Sequence, residues 1–193
     1  MRGLLLLLVV VAVGAAALVW FLRRSRATAA PPPRVDPFEA DEGRVDPRQI
    51  KVGDILTIEG SDFVVRGSLR FDQSGFTWQE HFIDDVHNRR WLSVEDDEGL
   101  ELCLWERHDP GVGEPGAAEV TVDGVSYRLA EHGTAAFTSE GTTGVAPSGQ
   151  AEYYDYAAGD RRLSFERFGA VSWEVSTGRV LGVREVQVLP TTG

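Results

Sequence analysis

The sequence has one cysteine and one lysine among its 193 residues, and beyond Val45 no window shows a helical hydrophobic period. Cys103 can form no disulfide within the chain, and because it stands between two leucines we interpret it as a small hydrophobic strand residue. The missing helical period disfavours a helical bundle. The length leaves room for one domain of ordinary size and a short extension, which excludes a multidomain enzyme.

Positive charge is scarce and unevenly placed. Residues 1–34 hold five arginines and no acid, so the rest of the chain carries 14 basic against 30 acidic side chains. Such a negative field repels a phosphate backbone, whereas it is compatible with cations, polyamines and basic protein surfaces. The composition therefore predicts no nucleic-acid partner.

The longest apolar run lies near the N-terminus, where the 19 residues 4–22 contain no charged side chain. A helix of that length would span about 28 Å, close to the hydrocarbon core of a bilayer. Arg23, Arg24 and Arg26 separate the run from the small residues that a cleavage site would need. We therefore predict an N-terminal transmembrane anchor over residues 1–22, with a cleavable signal peptide as the alternative.

Arginines near this run set its predicted orientation. Arg2 alone precedes the run, while Arg23, Arg24 and Arg26 follow it. The positive-inside rule then predicts a single-pass cell-membrane protein with a cytoplasmic C-terminal domain. A secreted or extracytoplasmic domain is the alternative if a signal is cleaved. Residues 23–47 are rich in arginine and proline, which predicts a semi-rigid linker.

Residues 48–190 have the pattern of a mainly β domain, because short runs of valine, threonine and aromatic residues alternate with polar ones between turn residues. Asp123-Gly124 is a strong hairpin signal. The predicted strands cover residues 55–58, 62–71, 76–84, 90–95, 100–107, 119–122, 126–131, 135–139, 150–156, 163–167, 171–175 and 180–189.

Self-comparison of the chain indicates an internal repeat. Four segments, 59–65, 79–84, 89–95 and 100–104, resemble 123–129, 151–156, 161–166 and 171–175 in the same order. We therefore predict two related β-meander repeats, about 50–108 and 117–189, packed as paired small barrels or as a sandwich. Ser93 and Glu95 match Ser164 and Glu166, and we interpret these four residues as fold determinants.

Alternation along the predicted strands separates an apolar face from a polar one. The residues predicted to face the core are Leu92, Val94, Leu100, Leu102, Leu104, Leu163, Phe165, Val171, Trp173 and Val175. On the opposite face of the first repeat, tryptophans alternate with carboxylates: Trp91, Ser93, Glu95, Glu101, Cys103 and Trp105. Either the other repeat covers this face, or it is an acidic and aromatic surface for a partner.

Five residues of acidic and aromatic character form the candidate ligand or partner surface: Trp78, Glu80, Trp91, Glu95 and Trp105. Carboxylates flanked by aromatic rings attract polyamines through charge and through cation–π contacts. No metal, cofactor or catalytic site is predicted. The four histidines lack zinc-binding spacing, the acidic runs lack the spacing of an EF-hand, and the glycine-rich stretch 141–144 has no lysine after it.

Several blocks carry a family resemblance, and they occur in the family's order: Val52-Gly53-Asp54, Val65-Arg66-Gly67-Ser68-Leu69-Arg70-Phe71, Phe76-Thr77-Trp78-Gln79-Glu80-His81, Trp91-Leu92-Ser93-Val94-Glu95 and Leu163-Ser164-Phe165-Glu166. Through them, residues 48–189 resemble the bacterial domain of unknown function (DUF) 4178 family. The arginine-rich, acidic composition is typical of an actinobacterial protein. The resemblance implies no established activity, no assigned catalytic residues, and genes for small membrane proteins and a spermidine-synthase-like protein nearby.

These observations predict a membrane-anchored, non-catalytic, cytoplasmic interaction module that binds a protein partner, which could itself be a membrane protein. One alternative is a cation-binding or polyamine-binding sensor domain. The other is an enzyme acting on a small cationic substrate, which would need a concave pocket with convergent acids.

Overall fold

The computed structural model describes residues 45–108 and 112–191. Within these ranges the chain forms eleven β-strands and two short 3-10 turns, Pro47–Gln49 and Val183–Glu185, with no α-helix. The strands are β1 (Ile55–Ile58), β2 (Ser61–Gln73), β3 (Phe76–Asp84), β4 (Arg89–Asp96), β5 (Leu100–Arg107), β6 (Glu119–Val122), β7 (Val125–Gly141), β8 (Ser148–Ala158), β9 (Arg161–Phe168), β10 (Glu174–Leu181) and β11 (Val186–Leu189).

Eight of these strands form a closed antiparallel barrel in the order β2-β3-β4-β5-β10-β9-β8-β7. The barrel closes where residues 67–72 of β2 pair with residues 136–141 of β7. The first residues of β2 pair instead with β1, which carries β11 on its other side, and the first residues of β7 pair with β6. An eight-stranded barrel has an interior just wide enough for packed side chains or for one small ligand.

Two glycines face each other at the closure. Gly67 is the register partner of Gly141, and a Cβ atom on Gly67 would lie 2.4 Å from the carbonyl oxygen of Thr142. Gly141 has a φ of +71°, which favours glycine. The close approach of β2 and β7 therefore depends on the absence of side chains at these positions.

The main hydrophobic cores lie on the outer wall of the barrel. The first packs leucines and valines of β4 and β5 against β1, β11 and the start of β2; it contains Ile50, Leu56, Ile58, Phe63, Val65, Ile83, Leu92, Val94, Leu102, Leu104, Leu181, Val186 and Val188. The second packs residues of β8, β9 and β10 against β6 and the start of β7; it contains Val122, Tyr127, Tyr156, Leu163, Phe165 and Val175. The short strands thus act as covers over the two halves of the wall.

The prediction of a mainly β domain is confirmed. Seven of the residues predicted to face the core are buried there: Leu92, Val94, Leu102, Leu104, Leu163, Phe165 and Val175. Leu100 and Trp173 are partly buried against the same cores. Val171 is 57% exposed, so its predicted burial is wrong.

The predicted architecture of two meander repeats, packed as paired small barrels or as a sandwich, is wrong. The structure has one closed barrel that takes strands from both halves of the chain. The physical reason lies in β2 and β7, which have 13 and 17 residues. Their later residues pair with each other, so neither half can close on itself.

The predicted transmembrane helix preceding the domain gains no support. The predicted anchor, residues 1–22, lies outside the described residues, as does almost all of the predicted linker 23–47. Among residues 45–108 and 112–191, no helix has the length and apolar character needed to cross a membrane.

Candidate functional site

The interior of the barrel contains a cavity of about 550 Å³. Its lining side chains come from all eight barrel strands and from the loop that joins β7 to β8. This volume falls within the range of about 300 to 1,000 Å³ that is usual for small-molecule sites. The barrel therefore encloses space that its own side chains do not fill.

All five residues predicted from the sequence as a ligand or partner surface line this cavity: Trp78, Glu80, Trp91, Glu95 and Trp105. Trp78 and Glu80 alternate on β3, Trp91 and Glu95 lie on β4, and Trp105 lies on β5. On β4, Leu92 and Val94 between them belong to the first outer core. The acidic and aromatic face is thus neither covered by a packed second sheet nor exposed on the outside. It forms one wall of the barrel interior.

Neighbouring groups hold the three tryptophans of this wall in place. The ring of Trp78 stacks on that of Phe71, with centroids 4.7 Å apart and an interplanar angle of 5°. Trp91 lies 5.3 Å from the ring of Phe82, and the indole N–H of Trp105 donates a hydrogen bond of 2.9 Å to Ser93 Oγ. These contacts give the cavity a preformed aromatic wall.

Six of the eight barrel strands each point one carboxyl group into the cavity: Glu80 on β3, Glu95 on β4, Glu131 on β7, Asp155 on β8, Glu166 on β9 and Glu174 on β10. The guanidinium groups lining the same space are those of Arg89 and Arg107. Acidic groups therefore outnumber basic ones along the lining.

Four of these carboxyl groups form two directly opposed pairs on neighbouring strands. Asp155 is the register partner of Glu131, and Glu166 is the register partner of Glu174. Like charges directly opposite each other destabilise a sheet. The arrangement therefore favours either bound protons or a bound cation between the strands.

Burial and mutual repulsion change the acidity of the cavity carboxyl groups. Burial, together with the negative charges of Glu131 and Glu95, raises the pKa of Asp155 to about 7, against a lowering effect of the Ser164 hydroxyl. Burial also raises the pKa of Glu95, with Glu101 adding to the rise.

Glu80 and Glu166 form a coupled pair. Burial raises the pKa of each, and the charge of Glu80 adds to the rise for Glu166. The indole N–H of Trp78 donates to Glu80 Oε1 at 3.3 Å, which opposes part of the rise for Glu80. Carboxyl groups with a pKa near 7 can hold or release protons at neutral pH.

Tyr153 adds a polar contact beside the aromatic wall. Its hydroxyl donates to Glu131 Oε1 at 2.8 Å and also contacts Gln73 Oε1, while its ring lies edge-on to Trp78 at 5.6 Å. Burial raises the pKa of this hydroxyl, so Tyr153 stays protonated. It joins the acidic part of the cavity to the aromatic part.

The cavity residues on the second half of the barrel were not predicted from the sequence as a site. They are the acidic residues of β7 to β10 and Tyr153. A signal was present, because Ser164, Glu166 and Phe168 alternate with Leu163 and Phe165 in the same way that Ser93 and Glu95 alternate with Leu92 and Val94. Ser164 and Glu166 line the cavity together with Ser93 and Glu95.

In the part of the chain that the structure describes, no three His, Cys, Asp or Glu side chains converge closely enough to hold a metal ion. Cys103 is buried, and burial raises the pKa of its thiol. The thiol is therefore protonated at neutral pH and unsuited to act as a nucleophile.

Comparison with known proteins gives one family. Residues 51–182 match the family described as "Domain of unknown function (DUF4178)". The uncharacterized protein Rv2597 of Mycobacterium tuberculosis and the uncharacterized protein Mb2628 of Mycobacterium bovis are each 40% identical to the chain over 153 residues. These alignments cover 75% of the chain and 73% of each relative. No solved structure matches the chain.

Proposed function

The chain belongs to the DUF4178 family, and we propose that its barrel binds a small organic cation of the polyamine class inside the acidic and aromatic cavity. The observation that carries this proposal is the composition of the lining. Three tryptophans and six carboxyl groups face one space of about 550 Å³ inside the barrel. Polyamines combine ammonium groups with apolar methylene chains, so they match both kinds of surface.

The charge of the lining supports a ligand with more than one positive charge. A single ammonium group would neutralise only part of the excess of acidic over basic side chains in the cavity. The ammonium groups of a polyamine can each donate hydrogen bonds to carboxylates, while the indole faces attract the chain between them. A linear molecule can also reach carboxyl groups on several strands at once.

The location of the five predicted residues also favours one kind of partner. Trp78, Glu80, Trp91, Glu95 and Trp105 line the barrel interior and are only partly exposed. A small ligand fits inside a barrel, whereas a folded protein partner binds to an outer surface. We therefore prefer the binding of a cationic small molecule to a protein-interaction role for these side chains.

Isothermal titration calorimetry of the full chain with spermidine tests the proposal. We expect saturable binding of one molecule per chain at moderate salt, with a change in tryptophan fluorescence because three of the five tryptophans line the cavity. Titration with sodium chloride at the same ionic strength should give no saturable heat. If spermidine produces no more heat than the salt, the proposal is wrong.

Two variants separate cavity binding from attraction to the acidic surface. Asp155→Asn removes a lining carboxyl group and should weaken spermidine binding about tenfold or more, since hydrogen bonds to charged groups contribute about 1.5 to 3 kcal/mol. Glu152→Gln is the matched control, because Glu152 lies on the same strand but pairs with Arg167 at 2.6 Å and does not line the cavity. Equal loss in both variants would indicate surface attraction only.

An enzyme acting on a small cationic substrate is supported by the same cavity, which supplies the convergent acids that such a reaction needs. Glu80 and Glu166 line the cavity from β3 and β9 and have raised pKa values, as a general acid and base can. Recovery of spermidine after incubation with the protein separates the two roles. A binding protein returns it unchanged, whereas chemical conversion would favour the enzyme.

A further inference from the structure

We propose that the cavity holds protons on Glu80, Glu166 and Asp155 before a polyamine binds and releases them on binding, so that ligand and protons exchange. This inference concerns the regulation of the same cavity and rests on the proposed function. It adds that binding depends on pH in a defined direction.

Glu80 and Glu166 lie on β3 and β9, which are not neighbours in the barrel order, and both side chains line the same cavity. Glu166 also stands directly opposite Glu174 of β10, which lines the cavity as well. Carboxyl groups from three strands therefore face one interior. Because like charges in a buried space repel each other, this arrangement favours a proton on Glu80 or Glu166.

Further charged groups surround Glu80 and Glu166. Asp155 of β8 raises the pKa of both glutamates, and Glu174 of β10 raises that of Glu166. Two groups lower the pKa of Glu80: the indole N–H of Trp78 and the side chain of Glu166. Negative groups therefore dominate the surroundings of the pair, and ionising both glutamates at once is unfavourable.

Asp155 stands in a similar environment. Glu131 of β7 lies directly opposite it, and Glu95 of β4 adds a further negative charge. The Ser164 hydroxyl and the charge of Arg162, both on β9, act in the other direction. Arg162 is itself bound to Glu101 of β5, with Nη2 3.2 Å from Oε2. The net effect keeps a proton on Asp155 up to about pH 7.

A bound polyamine would change this balance. Its ammonium groups bring positive charge between strands that carry opposed acids, which favours the ionised carboxylates. Each affected carboxyl group then loses its O–H proton to solvent and accepts an N–H hydrogen bond from the ligand instead. The charges of the ligand replace those of the released protons, and no other reactant is needed.

Calorimetry of spermidine binding to the full chain in a series of buffers with different ionisation enthalpies measures this exchange. At about pH 6.5 the amines of the ligand remain protonated, because amines of this kind have a pKa near 10. We expect the observed heat to depend on the buffer in the direction of net proton release. The affinity should rise with pH, by about tenfold per pH unit for each proton released.

The outcomes separate the inference from the proposed function. No binding in any buffer would overturn both. Saturable binding with a heat that does not depend on the buffer, or with proton uptake, would overturn the exchange and leave the binding function standing. Buffer-dependent heat in the direction of release supports both.

A variant and a direct spectroscopic measurement complete the test. In Glu166→Gln the amide N–H can donate a hydrogen bond to Glu80, and position 166 has no acidic proton to release. Fewer protons should therefore be released than from the unaltered protein. Glu152→Gln should release the same number as the unaltered protein. If Glu166→Gln does not fold, infrared difference spectra of the unaltered protein remain decisive. Adding spermidine should remove the carbonyl stretching band of protonated carboxyl groups, and an unchanged band would contradict the inference.

Discussion

Gly178 of β10 lies directly opposite Trp105 of β5, and the indole ring of Trp105 occupies the space where a side chain at position 178 would be. A Cβ atom on Gly178 would lie 2.5 Å from Trp105 Cε3 and 2.7 Å from Cys103 Sγ. The absence of a side chain on β10 therefore fixes the position of a tryptophan in the cavity wall.

Gly178→Ala should displace this indole ring. We expect the free energy of unfolding to fall by about 1 to 3 kcal/mol, as is usual for an overpacked interior, and spermidine to bind more weakly. Urea unfolding and calorimetry check the two effects. Gly182→Ala is the control, because position 182 has a φ of −66° and the nearest group to an added Cβ is the flexible side chain of Glu185 at 3.3 Å. Similar losses in both variants would refute the role of Gly178.

The alternation of residues in β3, β4 and β5 was sufficient to predict one wall of the cavity. Large apolar side chains at every second position of β4 indicated a buried face, and the tryptophans and glutamates between them indicated a second, unusual face. What the pattern could not show was that this second face closes on itself. Closure depends on the pairing of β2 with β7, between residues such as Gly67 and Gly141, which are far apart in the sequence.

The predicted strand boundaries were wrong where a glycine interrupts the alternation of apolar and polar residues. The sequence predicted two strands at 126–131 and 135–139, but β7 is continuous through Gly133. A Cβ atom at Gly133 would lie 2.5 Å from Gln73 Nε2 and 3.1 Å from the Tyr153 hydroxyl, so glycine serves packing there and does not mark a turn. By contrast, the hairpin predicted at Asp123-Gly124 is confirmed, since both residues have positive φ values, of 49° and 78°.

Asp155→Asn should stabilise the empty protein at the same time as it weakens ligand binding. Because the pKa of Asp155 is about 7 when folded, above its ordinary value, the folded state binds the proton more tightly than the unfolded state. That advantage is present at low pH and is lost as the pH rises through 7. The variant should therefore be more stable than the unaltered protein by about 1 to 3 kcal/mol at pH 8, with little difference near pH 4.

Urea unfolding of both proteins across this pH range measures the difference. Glu152→Gln, which alters an ion pair outside the cavity, should show no such dependence on pH. A gain in stability for Asp155→Asn that is largest at low pH would contradict the expected direction.

His81 should make the fold sensitive to acid through a different mechanism. It is fully buried on the outer side of β3, where Ser68 Oγ and His81 Nδ1 are 2.8 Å apart. Burial lowers its pKa to about 4, with the charge of Arg70 contributing and that of Asp54 opposing. His81 therefore binds a proton near pH 6.5 in the unfolded chain but only near pH 4 in the folded chain. The free energy of unfolding falls as the pH drops from 6.5 towards 4.

His81→Gln keeps a partner for Ser68 but cannot be protonated. Relative to this variant, the unaltered protein should lose about 3 kcal/mol of unfolding free energy between pH 7 and pH 4, given a shift of roughly 2.5 pKa units. Unfolding in urea at a series of pH values gives the difference. The exposed His87 supplies a control, and if His87→Gln behaves like His81→Gln, burial is not the cause.

Gly67→Ala should open the barrel at its closure. The added methyl group would meet the backbone of Thr142, with its Cβ 2.4 Å from the carbonyl oxygen and 2.6 Å from the carbonyl carbon, and backbone cannot move as a side chain does. We expect a loss of about 3 kcal/mol or more. Faster hydrogen exchange of the amides in residues 136–141 than in β4 would locate the effect at the pairing of β2 with β7. Uniform exchange in both regions would contradict it.

The closed barrel also limits association between copies of the chain. In the described part of the chain, the sheet ends at β6 on one side and β11 on the other. Each of these edge strands has only four residues. A short edge offers few unpaired N–H and C=O groups to a strand from another molecule. The pairing of β2 with β7 thus also removes most of the strand edge at which copies of the chain could aggregate.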